Sequence, residues 1–285
     1  MIRWYVLGLI NKLKLAVRNR LKRPPVGTEA DFRNNLFGTL RAKWFEVPSS
    51  PAGRLKTADL LKLDDAALME IWGKARASYL SGAQFLSGKG WYHELYGPAL
   101  RGKKILDVGS GLGIDGITFA QGGAYVTFVD LAESNLALVK RICEGFSLRN
   151  VDFCYLESLD SLKSLGADYD FIFAMGSLHH APFEAVSSEA RELLRHLKTG
   201  GRWVQLAYPK SRWIREGFVP FDRWGEMTDG AGTPWAEWYD PAKILRLLKP
   251  GRFETVLCRE FSGGSFIWFD LKYLGSGDGS WPLEI

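Results

Sequence analysis

The sequence has 285 residues, of which 46% are hydrophobic and 24% are charged. This composition is ordinary for a globular protein, and the length favours one large α/β domain with additions over two full domains. The net charge of +5 comes largely from residues 1–23, which hold seven basic residues and no acidic ones. Because the rest of the chain is near neutral, charge gives little support to nucleic-acid binding.

The N-terminal segment combines basic and apolar residues. Its apolar run, residues 4–10, is too short to span a bilayer, and the charges that follow it argue against a signal peptide. Apolar residues recur at helical spacing from residue 2 to residue 21, so residues 2–23 are predicted to form a basic amphipathic helix. Such a helix can lie on an anionic membrane surface or dock on its own domain or a partner, and the sequence leaves these alternatives open.

The next segment reaches the first regular helices. Prolines interrupt residues 24–56, which are therefore predicted to be irregular. Residues 64–80 have an acidic start and apolar residues at helical spacing, and residues 91–100 read as a second short helix. Together these helices form a predicted lead-in to the rest of the chain.

Five short apolar segments then predict buried strands: KILDVGS, AYVTFVD, VDFCYL, YDFIFAM and GRWVQLAY. The segments ITFAQ, ESNLALVKRICEGF and FEAVSSEARELLRHL read as helices between them. Strands that alternate with helices indicate βαβ units and a parallel sheet covered on both faces. FETVLC and SFIWFDLKYL follow each other without a helix and are predicted to form a closing antiparallel hairpin.

The predicted fold class is α/β. We expect an open, doubly wound, mostly parallel seven-stranded sheet with a C-terminal antiparallel hairpin, an N-terminal helical extension and a lid insertion after the fifth strand. The insertion, residues 211–239, is rich in aromatic residues and is neither sheet-like nor clearly helical. Long insertions of this kind often form lids or binding loops. The final GSGDGS is predicted to be flexible.

The most informative segment is the glycine loop ILDVGSGLGIDG. Its strand, residues 104–108, runs into Gly109, Gly111 and Gly113, and a helix follows. Glycines let the backbone turn sharply and approach a ligand, and a helix N-terminus attracts negative charge. Asp107 would place a carboxylate beside a pyrophosphate, so it suits a ligand that carries an ammonium group.

A dinucleotide is the competing ligand. The spacing from Gly111 through Gly113 to Gly116 formally matches the dinucleotide fingerprint, which leaves an NAD(P)-dependent oxidoreductase as an alternative. The register argues against it, because the turn already begins at Gly109. A non-catalytic binding or scaffold protein is a further alternative, and the acids at Asp107 and Asp130 argue against that.

The segment DVGSGLG resembles the first motif of class I S-adenosylmethionine-dependent methyltransferases. The resemblance covers residues 90–210, and the final hairpin supports it. It also includes the turn LKTGG before the fifth strand and LHH after the fourth, which is typical of small-molecule members of the family. It implies a methyltransferase domain at residues 99–272 with a lid at 209–240, preceded by an extension at 1–57 and the helical lead-in at 58–98, and followed by a flexible tail at 273–285.

The resemblance also implies S-adenosylmethionine as the cofactor. In this family the loop cradles the methionine portion, an acid after the second strand binds the ribose, and residues after the second and third strands meet the adenine. The cofactor residues assigned in this way are Asp107, Gly109, Ser110, Gly111, Gly113, Asp130, Leu131, Glu157, Ser158, Met175, Gly176 and Tyr92.

Two adjacent histidines follow the fourth strand. Ligands of open α/β sheets sit beyond the carboxyl ends of the strands, which places His179 and His180 near the methyl group to be transferred. A neutral imidazole there can accept a proton from the attacking group, or it can shape the pocket floor. His180 is the preferred base, with His179 and Tyr208 as further catalytic candidates. No metal site is predicted, because the histidines lack the usual ligand spacing.

The aromatic insertion is predicted to select the acceptor. Trp224, Trp235 and Trp238 are the expected substrate contacts, and nearby acids could pair with an amine or bind hydroxyl groups. Their alternative role is to cover the sheet edge. The predicted function is methyl transfer from S-adenosylmethionine to oxygen, nitrogen or carbon of a small biosynthetic molecule. The cysteines form no disulfide or zinc pattern, which suits the cytoplasm, with the basic helix as a contact to a membrane or partner.

Overall fold

The computed structural model of the protein describes residues 35–50, 53–80, 86 and 88–277. Almost all of them belong to the compact unit that begins at Phe37. The basic amphipathic helix predicted over residues 2–23, and residues 278–285 of the predicted tail, lie outside the described residues. Within the described ranges, no helix has both the length and the apolar character needed to cross a bilayer.

The described residues form ten α-helices and one 3₁₀ helix, Leu159–Ser164. The α-helices are α1 (Leu36–Trp44), α2 (Thr57–Leu60), α3 (Asp65–Leu80), α4 (Trp91–Leu100), α5 (Ile114–Gln121), α6 (Glu133–Gly145), α7 (Phe183–Leu194), α8 (Lys210–Arg215), α9 (Phe221–Asp229) and α10 (Pro241–Leu247).

Ten strands accompany them, two of which form a separate hairpin. The strands are β1 (Glu46–Ser50), β2 (Gly53–Lys56), β3 (Lys104–Val108), β4 (Tyr125–Asp130), β5 (Val151–Tyr155), β6 (Tyr169–Met175), β7 (Leu197–Pro209), β8 (Trp238–Tyr239), β9 (Gly251–Phe261) and β10 (Phe266–Ser276).

The central sheet has the strand order β5-β4-β3-β6-β7-β10-β9, and the two-residue strand β8 adds to β7. The pairs from β5 to β7 are parallel, whereas β10 pairs antiparallel with both β7 and β9. The predicted fold class is therefore confirmed as a mostly parallel sheet of seven main strands with antiparallel C-terminal strands.

Helices on both faces explain why the central strands are apolar throughout. Ile105 and Leu106 are adjacent in β3 and point to opposite faces, yet both are fully buried, as are Phe128 and Val129 in β4. A strand that alternated apolar and polar residues would expose one face to water. Apolar runs in the sequence therefore identify the strands, and the loops that follow them all lie at one edge of the sheet.

Three segments differ from the sequence prediction. Residues 36–56, predicted to be irregular, contain α1 and the β1–β2 hairpin, and Pro48 is accommodated because a two-stranded hairpin has free edges. The insertion after β7 contains α8, α9 and β8. Strand β10 ends at Ser276, two residues beyond the predicted strand SFIWFDLKYL, so the first residues of the predicted tail pair with β9.

Candidate active site

The loop after β3 packs closely against the segment after β6. The φ angles of Gly109, Gly111 and Gly113 are 74°, 53° and 66°, a region that side chains rarely adopt. A Cβ atom on Gly109 would lie 2.3 Å from the Cβ of Ser177. A Cβ atom on Gly111, in contrast, would have no described atom within 4 Å. One side of the loop is thus sealed by protein, and the other side has room for a ligand.

Asp130 joins this loop to the end of β4. Its carboxylate accepts hydrogen bonds from the backbone N–H of Gly111 at 3.1 Å and of Ala132 at 2.8 Å. Burial raises the pKa of Asp130 to about 6, although these hydrogen bonds and the Asn135 amide favour the ionised form. A carboxylate fixed at this position can accept two further hydrogen bonds from neighbouring hydroxyl groups, as a ribose offers.

Two polar side-chain atoms are buried in the loop region. Asp107 Oδ2 and Ser110 Oγ are buried and make no hydrogen bond among the described residues. Burial, followed by repulsion from Asp115 and Asp130, raises the pKa of Asp107 well above its ordinary value. A buried polar atom without a partner is costly, and a ligand with ammonium and other donor groups would satisfy both atoms. The predicted S-adenosylmethionine site fits this donor requirement.

The predicted adenine side is covered by α1. The Arg41 guanidinium donates hydrogen bonds to the carbonyl oxygens of Leu131 at 3.0 Å, Leu156 at 3.1 Å and Glu157. It also lies 5.4 Å from the ring centroid of Tyr155. Arg41 therefore spans the ends of β4 and β5, a position that no sequence motif indicated.

The other predicted cofactor residues surround this region. The side chains of Glu157 and Ser158 are exposed, and Ser158 caps the 3₁₀ helix. Met175 and Gly176 are half-buried at the end of β6. Tyr92 is fully buried and donates a hydrogen bond to Asp115 in the first turn of α5, next to the glycine loop.

The two histidines lie beside Tyr208 and an acid from the insertion. The rings of His179 and His180 are 4.2 Å apart, and that of His179 is 4.3 Å from Tyr208. Tyr208 donates a hydrogen bond of 2.7 Å to Asp229 Oδ2, which lies 3.8 Å from His180 Nε2. The structure thus brings together the three predicted catalytic residues and adds Asp229 to them.

A second contact of His180 defines which nitrogen is free. Its Nδ1 lies 3.2 Å from the carbonyl oxygen of Trp235, which can only accept, so Nδ1 carries the proton in the neutral ring. Burial lowers the pKa of His180, with Asp229 opposing, and burial lowers that of His179 well below its ordinary value. His180 is therefore neutral near pH 7, with the lone pair on Nε2.

Asp229 is the negative group of the cluster. Burial raises its pKa, but attraction to the two histidines and the hydrogen bond from Tyr208 outweigh burial and lower the pKa to about 2. Burial, followed by repulsion from Asp229, raises the pKa of Tyr208 well above 10. Tyr208 therefore stays protonated and acts as a hydrogen-bond donor rather than as a base.

Residues of α1 and β2 also contact this cluster. The Trp44 ring lies 4.4 Å from the His180 ring, and the Arg54 guanidinium lies 5.1 Å from the Trp44 ring centroid. Arg54 also pairs with Asp229 at 3.2 Å. Neither Trp44 nor Arg54 was predicted, because no local pattern connects residues 44–54 with an insertion that begins after β7.

The predicted substrate tryptophans form the interior of the insertion. Trp224 has no exposed surface, donates to Glu216 at 2.6 Å and packs against Tyr208 at 5.4 Å. Trp235 is half-buried and donates to Glu237, and Trp238 lies 3.8 Å from Lys243 Nζ. Each has a packing role in the insertion, and contact with an acceptor stays a prediction for all three.

A metal-like grouping also occurs here. One ligand atom from each of His179, His180 and Asp229 lies within 4.8 Å of the others, a grouping that the sequence spacing of the histidines did not suggest. The charge of Arg54, paired with the same Asp229, opposes a second cation at this point. The hydrogen bonds of Tyr208 and Arg54 to Asp229 explain the grouping without a metal.

A search of known families matches residues 105–201 to the family described as "Methyltransferase domain". This range begins in β3 and ends in β7. It includes the glycine loop, Asp130 and both histidines.

Curated relatives match a part of the chain of similar length. A ubiquinone biosynthesis O-methyltransferase of Pseudomonas savastanoi pv. phaseolicola is 35% identical over 112 residues, which are 39% of this chain and 46% of the relative. One from Acinetobacter baumannii strain ACICU is 31% identical over 111 residues, with the same shares. The chain spans about half the length of these relatives. The matched family and the relatives are both described as methyltransferases.

Solved structures share the fold at low identity. The 1,6-didemethyltoxoflavin-N1-methyltransferase of Burkholderia thailandensis, bound to 1,6-didemethyltoxoflavin and S-adenosylhomocysteine, has a TM-score of 0.53 and 16% identity, over 89% of this chain and 93% of its own. The magnesium protoporphyrin IX methyltransferase of Synechocystis PCC 6803, bound to S-adenosylhomocysteine, has a TM-score of 0.51 and 19% identity, over 87% and 98%. At this identity the likeness establishes the fold.

Proposed function

We propose that this protein is a methyltransferase that transfers a methyl group from S-adenosylmethionine to oxygen, nitrogen or carbon of a small molecule. The observation that carries the proposal is that two groups of functional side chains lie at one edge of the sheet. There, the unsatisfied Asp107 and the fixed Asp130 carboxylate lie on one side, and the buried cluster of His180, Tyr208 and Asp229 lies on the other.

S-adenosylmethionine, when bound, supplies an activated methyl group on a positively charged sulfur. Asp107 and the loop from Gly109 to Gly113 would hold its amino acid portion, and Asp130 would accept from the ribose hydroxyls. Leu131, Glu157 and Ser158 would border the adenine. Met175, Gly176 and Tyr92 would close the site from the sides. Fixed alignment of donor and acceptor is the main source of rate in such a displacement.

His180 would act on the acceptor. Its Nδ1 donates to the Trp235 carbonyl, so the lone pair of Nε2 is on the side of the ring where Asp229 lies. Nε2 can take the proton of an attacking hydroxyl or amine, and the imidazolium that forms is then stabilised by the nearby carboxylate. Asp229 is the positioning residue of this pair, and Tyr208 orients Asp229 through its hydrogen bond.

The acceptor is a small biosynthetic molecule in this proposal. Trp44 and Tyr208 would give the acceptor site aromatic walls, and the insertion would cover it as a lid. The pathway named for the curated relatives supports a biosynthetic acceptor. The proposed location is the cytoplasm, with residues 2–23 as a contact to a membrane surface or a partner, and no role in nucleic-acid binding is proposed.

Calorimetric titration of the purified protein with S-adenosylmethionine, S-adenosylhomocysteine and NAD tests the cofactor. We expect the first two to bind and NAD not to bind. Asp130→Ala should weaken binding of the first two compounds. Asp160→Ala is the matched control, because Asp160 is an exposed acid in the 3₁₀ helix. Tight binding of NAD would instead favour an oxidoreductase, and binding of none of the three would favour a scaffold protein.

A further inference from the structure

One lysine contacts a ring that stacks on the histidine cluster. Lys89 precedes α4, and its Nζ lies 4.7 Å from the ring centroid of Phe266. Phe266 begins β10 and stacks on Tyr208 with ring centroids 6.0 Å apart. Strands β6 and β7 separate β10 from β3, so the ring that Lys89 contacts lies on the histidine side of the edge.

Lys89 is the cation of this region that forms no ion pair within the described ranges. Arg54 pairs with Asp229 at 3.2 Å, and Arg212 pairs with Glu216 at 3.0 Å. Among the described residues, Lys89 makes no ion pair and no hydrogen bond, and its contact is the ring of Phe266. Within the described part of the chain, Asp229 and Asp115 attract the Lys89 charge without forming an ion pair with it.

The surroundings make this charge costly. Burial lowers the pKa of Lys89, with Asp229 and then Asp115 opposing, and Lys89 in turn lowers the pKa of both His179 and His180. Lys89 thus shares an electrostatic environment with the histidine cluster. An ammonium group partly withdrawn from water is stabilised by an anionic partner at hydrogen-bond distance, and no described residue supplies one here.

We propose that Lys89 binds a carboxylate of the methyl acceptor, so that the acceptor is an aromatic hydroxy- or amino-carboxylate. A single ammonium group matches a singly charged carboxylate, and the rings of Trp44, Tyr208 and Phe266 suit an aromatic body between Lys89 and His180. This inference rests on the proposed function, because it assumes that His180 faces the acceptor.

The cofactor also has a carboxylate, and the alternative is that Lys89 binds the carboxylate of the cofactor instead of that of the acceptor. The position of Lys89 over β10 favours the acceptor, since the methionine portion is expected at the glycine loop. 5′-Methylthioadenosine distinguishes the two sources, because it lacks the amino acid portion of S-adenosylhomocysteine. If Lys89 held the cofactor carboxylate, its replacement would weaken binding of S-adenosylhomocysteine and not of 5′-methylthioadenosine.

The test uses the full chain saturated with S-adenosylhomocysteine and titrated with aromatic carboxylates and their amides. The probes are benzoate with benzamide and phenylacetate with phenylacetamide, measured by calorimetry. Lys89→Met removes the charge and keeps most of the apolar stem, whereas Lys89→Arg restores a cation. Lys210→Met is the matched control, because Lys210 also lies over an aromatic ring, at 4.9 Å from Trp238, but pairs with Asp240.

We expect each carboxylate to bind about tenfold or more tightly than its amide, since a charged hydrogen bond is lost in the amide. Lys89→Met should abolish this preference, while Lys89→Arg and Lys210→Met should retain it, with affinity for S-adenosylhomocysteine unchanged in all. Equal binding of carboxylate and amide by the wild type would overturn the proposal. So would a Lys89→Met variant that binds S-adenosylhomocysteine weakly but 5′-methylthioadenosine normally, which would assign Lys89 to the cofactor.

Failure of the proposed function has a different signature. If the wild type does not bind S-adenosylhomocysteine at all, the methyltransferase assignment falls, and the acceptor assignment falls with it. If S-adenosylhomocysteine binds and the carboxylate preference is absent, the Lys89 assignment alone is wrong.

Discussion

The two sides of the functional edge are built differently. On the glycine-loop side, the main groups come from one short stretch, Asp107 to Gly113, and from Asp130 at the next strand end. On the histidine side, Asp229 meets His180 from the insertion after β7, and Arg54 meets Asp229 across 175 residues of sequence. The first side is set by a local turn, and the second depends on how distant segments pack.

This difference has a chemical meaning. A cofactor shared by many reactions can be held by one turn, whose glycines and carboxylates keep the same geometry whatever covers them. An acceptor site must fit one molecule, so its walls come from segments that vary independently, here β1–β2 and the insertion. The predictions below test whether the two sides can be damaged separately, beginning with the largest expected effect.

Replacing the base should affect turnover and spare the cofactor. His180→Gln is expected to lower kcat by roughly 10² to 10⁴, the range for loss of a general base. Its calorimetric affinity for S-adenosylmethionine should stay at the wild-type value. His196→Gln is the matched control, because His196 precedes β7 and bonds the Gly166 carbonyl instead. A His180 variant with normal kcat would assign the histidine to shaping the pocket.

Replacing the ribose acid should have the opposite pattern. Asp130→Ala removes a carboxylate that can bind two hydroxyl groups, so we expect cofactor affinity to fall roughly 10²- to 10⁴-fold, at about 1.5–3 kcal/mol for each charged hydrogen bond. Circular dichroism should show the native fold. Unchanged affinity in this variant would mean that the ribose does not bind here.

The positioning role of Asp229 predicts a change in the pH profile. Burial holds the pKa of His180 below 6.5, and Asp229 opposes this effect. The acidic limb of kcat/KM should therefore lie below pH 6.5, and Asp229→Asn should move it to still lower pH, with kcat reduced about tenfold. A merely structural Asp229 would change kcat and leave the position of the limb where it was.

Burial of Asp130 also predicts that the folded state is less stable when this carboxyl group is ionised. Because burial raises its pKa from 3.8 to about 6, the folded state is destabilised as the pH rises through that interval and the group ionises. Asp130→Asn should therefore raise the free energy of unfolding at pH 8 by roughly 1–2 kcal/mol, net of altered hydrogen bonds. At pH 3 the two proteins should unfold at similar denaturant concentrations. Lower stability of the variant at pH 8 would contradict this account.

The smallest effect is expected from removal of metals. Arg54 and Tyr208 already satisfy Asp229, so the His179, His180 and Asp229 grouping does not need a cation. Dialysis against a chelator should leave kcat unchanged. A loss of activity that zinc or manganese restores would show that the grouping binds a metal.

The same contrast explains which parts of the fold and of the site could be predicted from the sequence. The strands, their parallel order and the closing hairpin follow from apolar runs separated by helical segments, and the glycine loop carries its own geometry. Residues 36–56 could not be predicted, because their hairpin and helix are stabilised by contacts such as Arg41 with the ends of β4 and β5. Lys89 and Arg54 have no local signal at all. In the sequence, Asp229 is only one of several acids in the insertion. Its position beside His180 depends on tertiary packing.

The most direct test is methyl transfer itself. The full chain would be incubated with S-adenosylmethionine labelled in its methyl group and with a small-molecule extract, and the label would be followed into small-molecule, protein and nucleic-acid fractions. The account predicts label in the small-molecule fraction with the wild type, strongly reduced with His180→Gln and retained with His196→Gln. Label in the protein or nucleic-acid fraction, or none in any fraction despite tight cofactor binding, would contradict it.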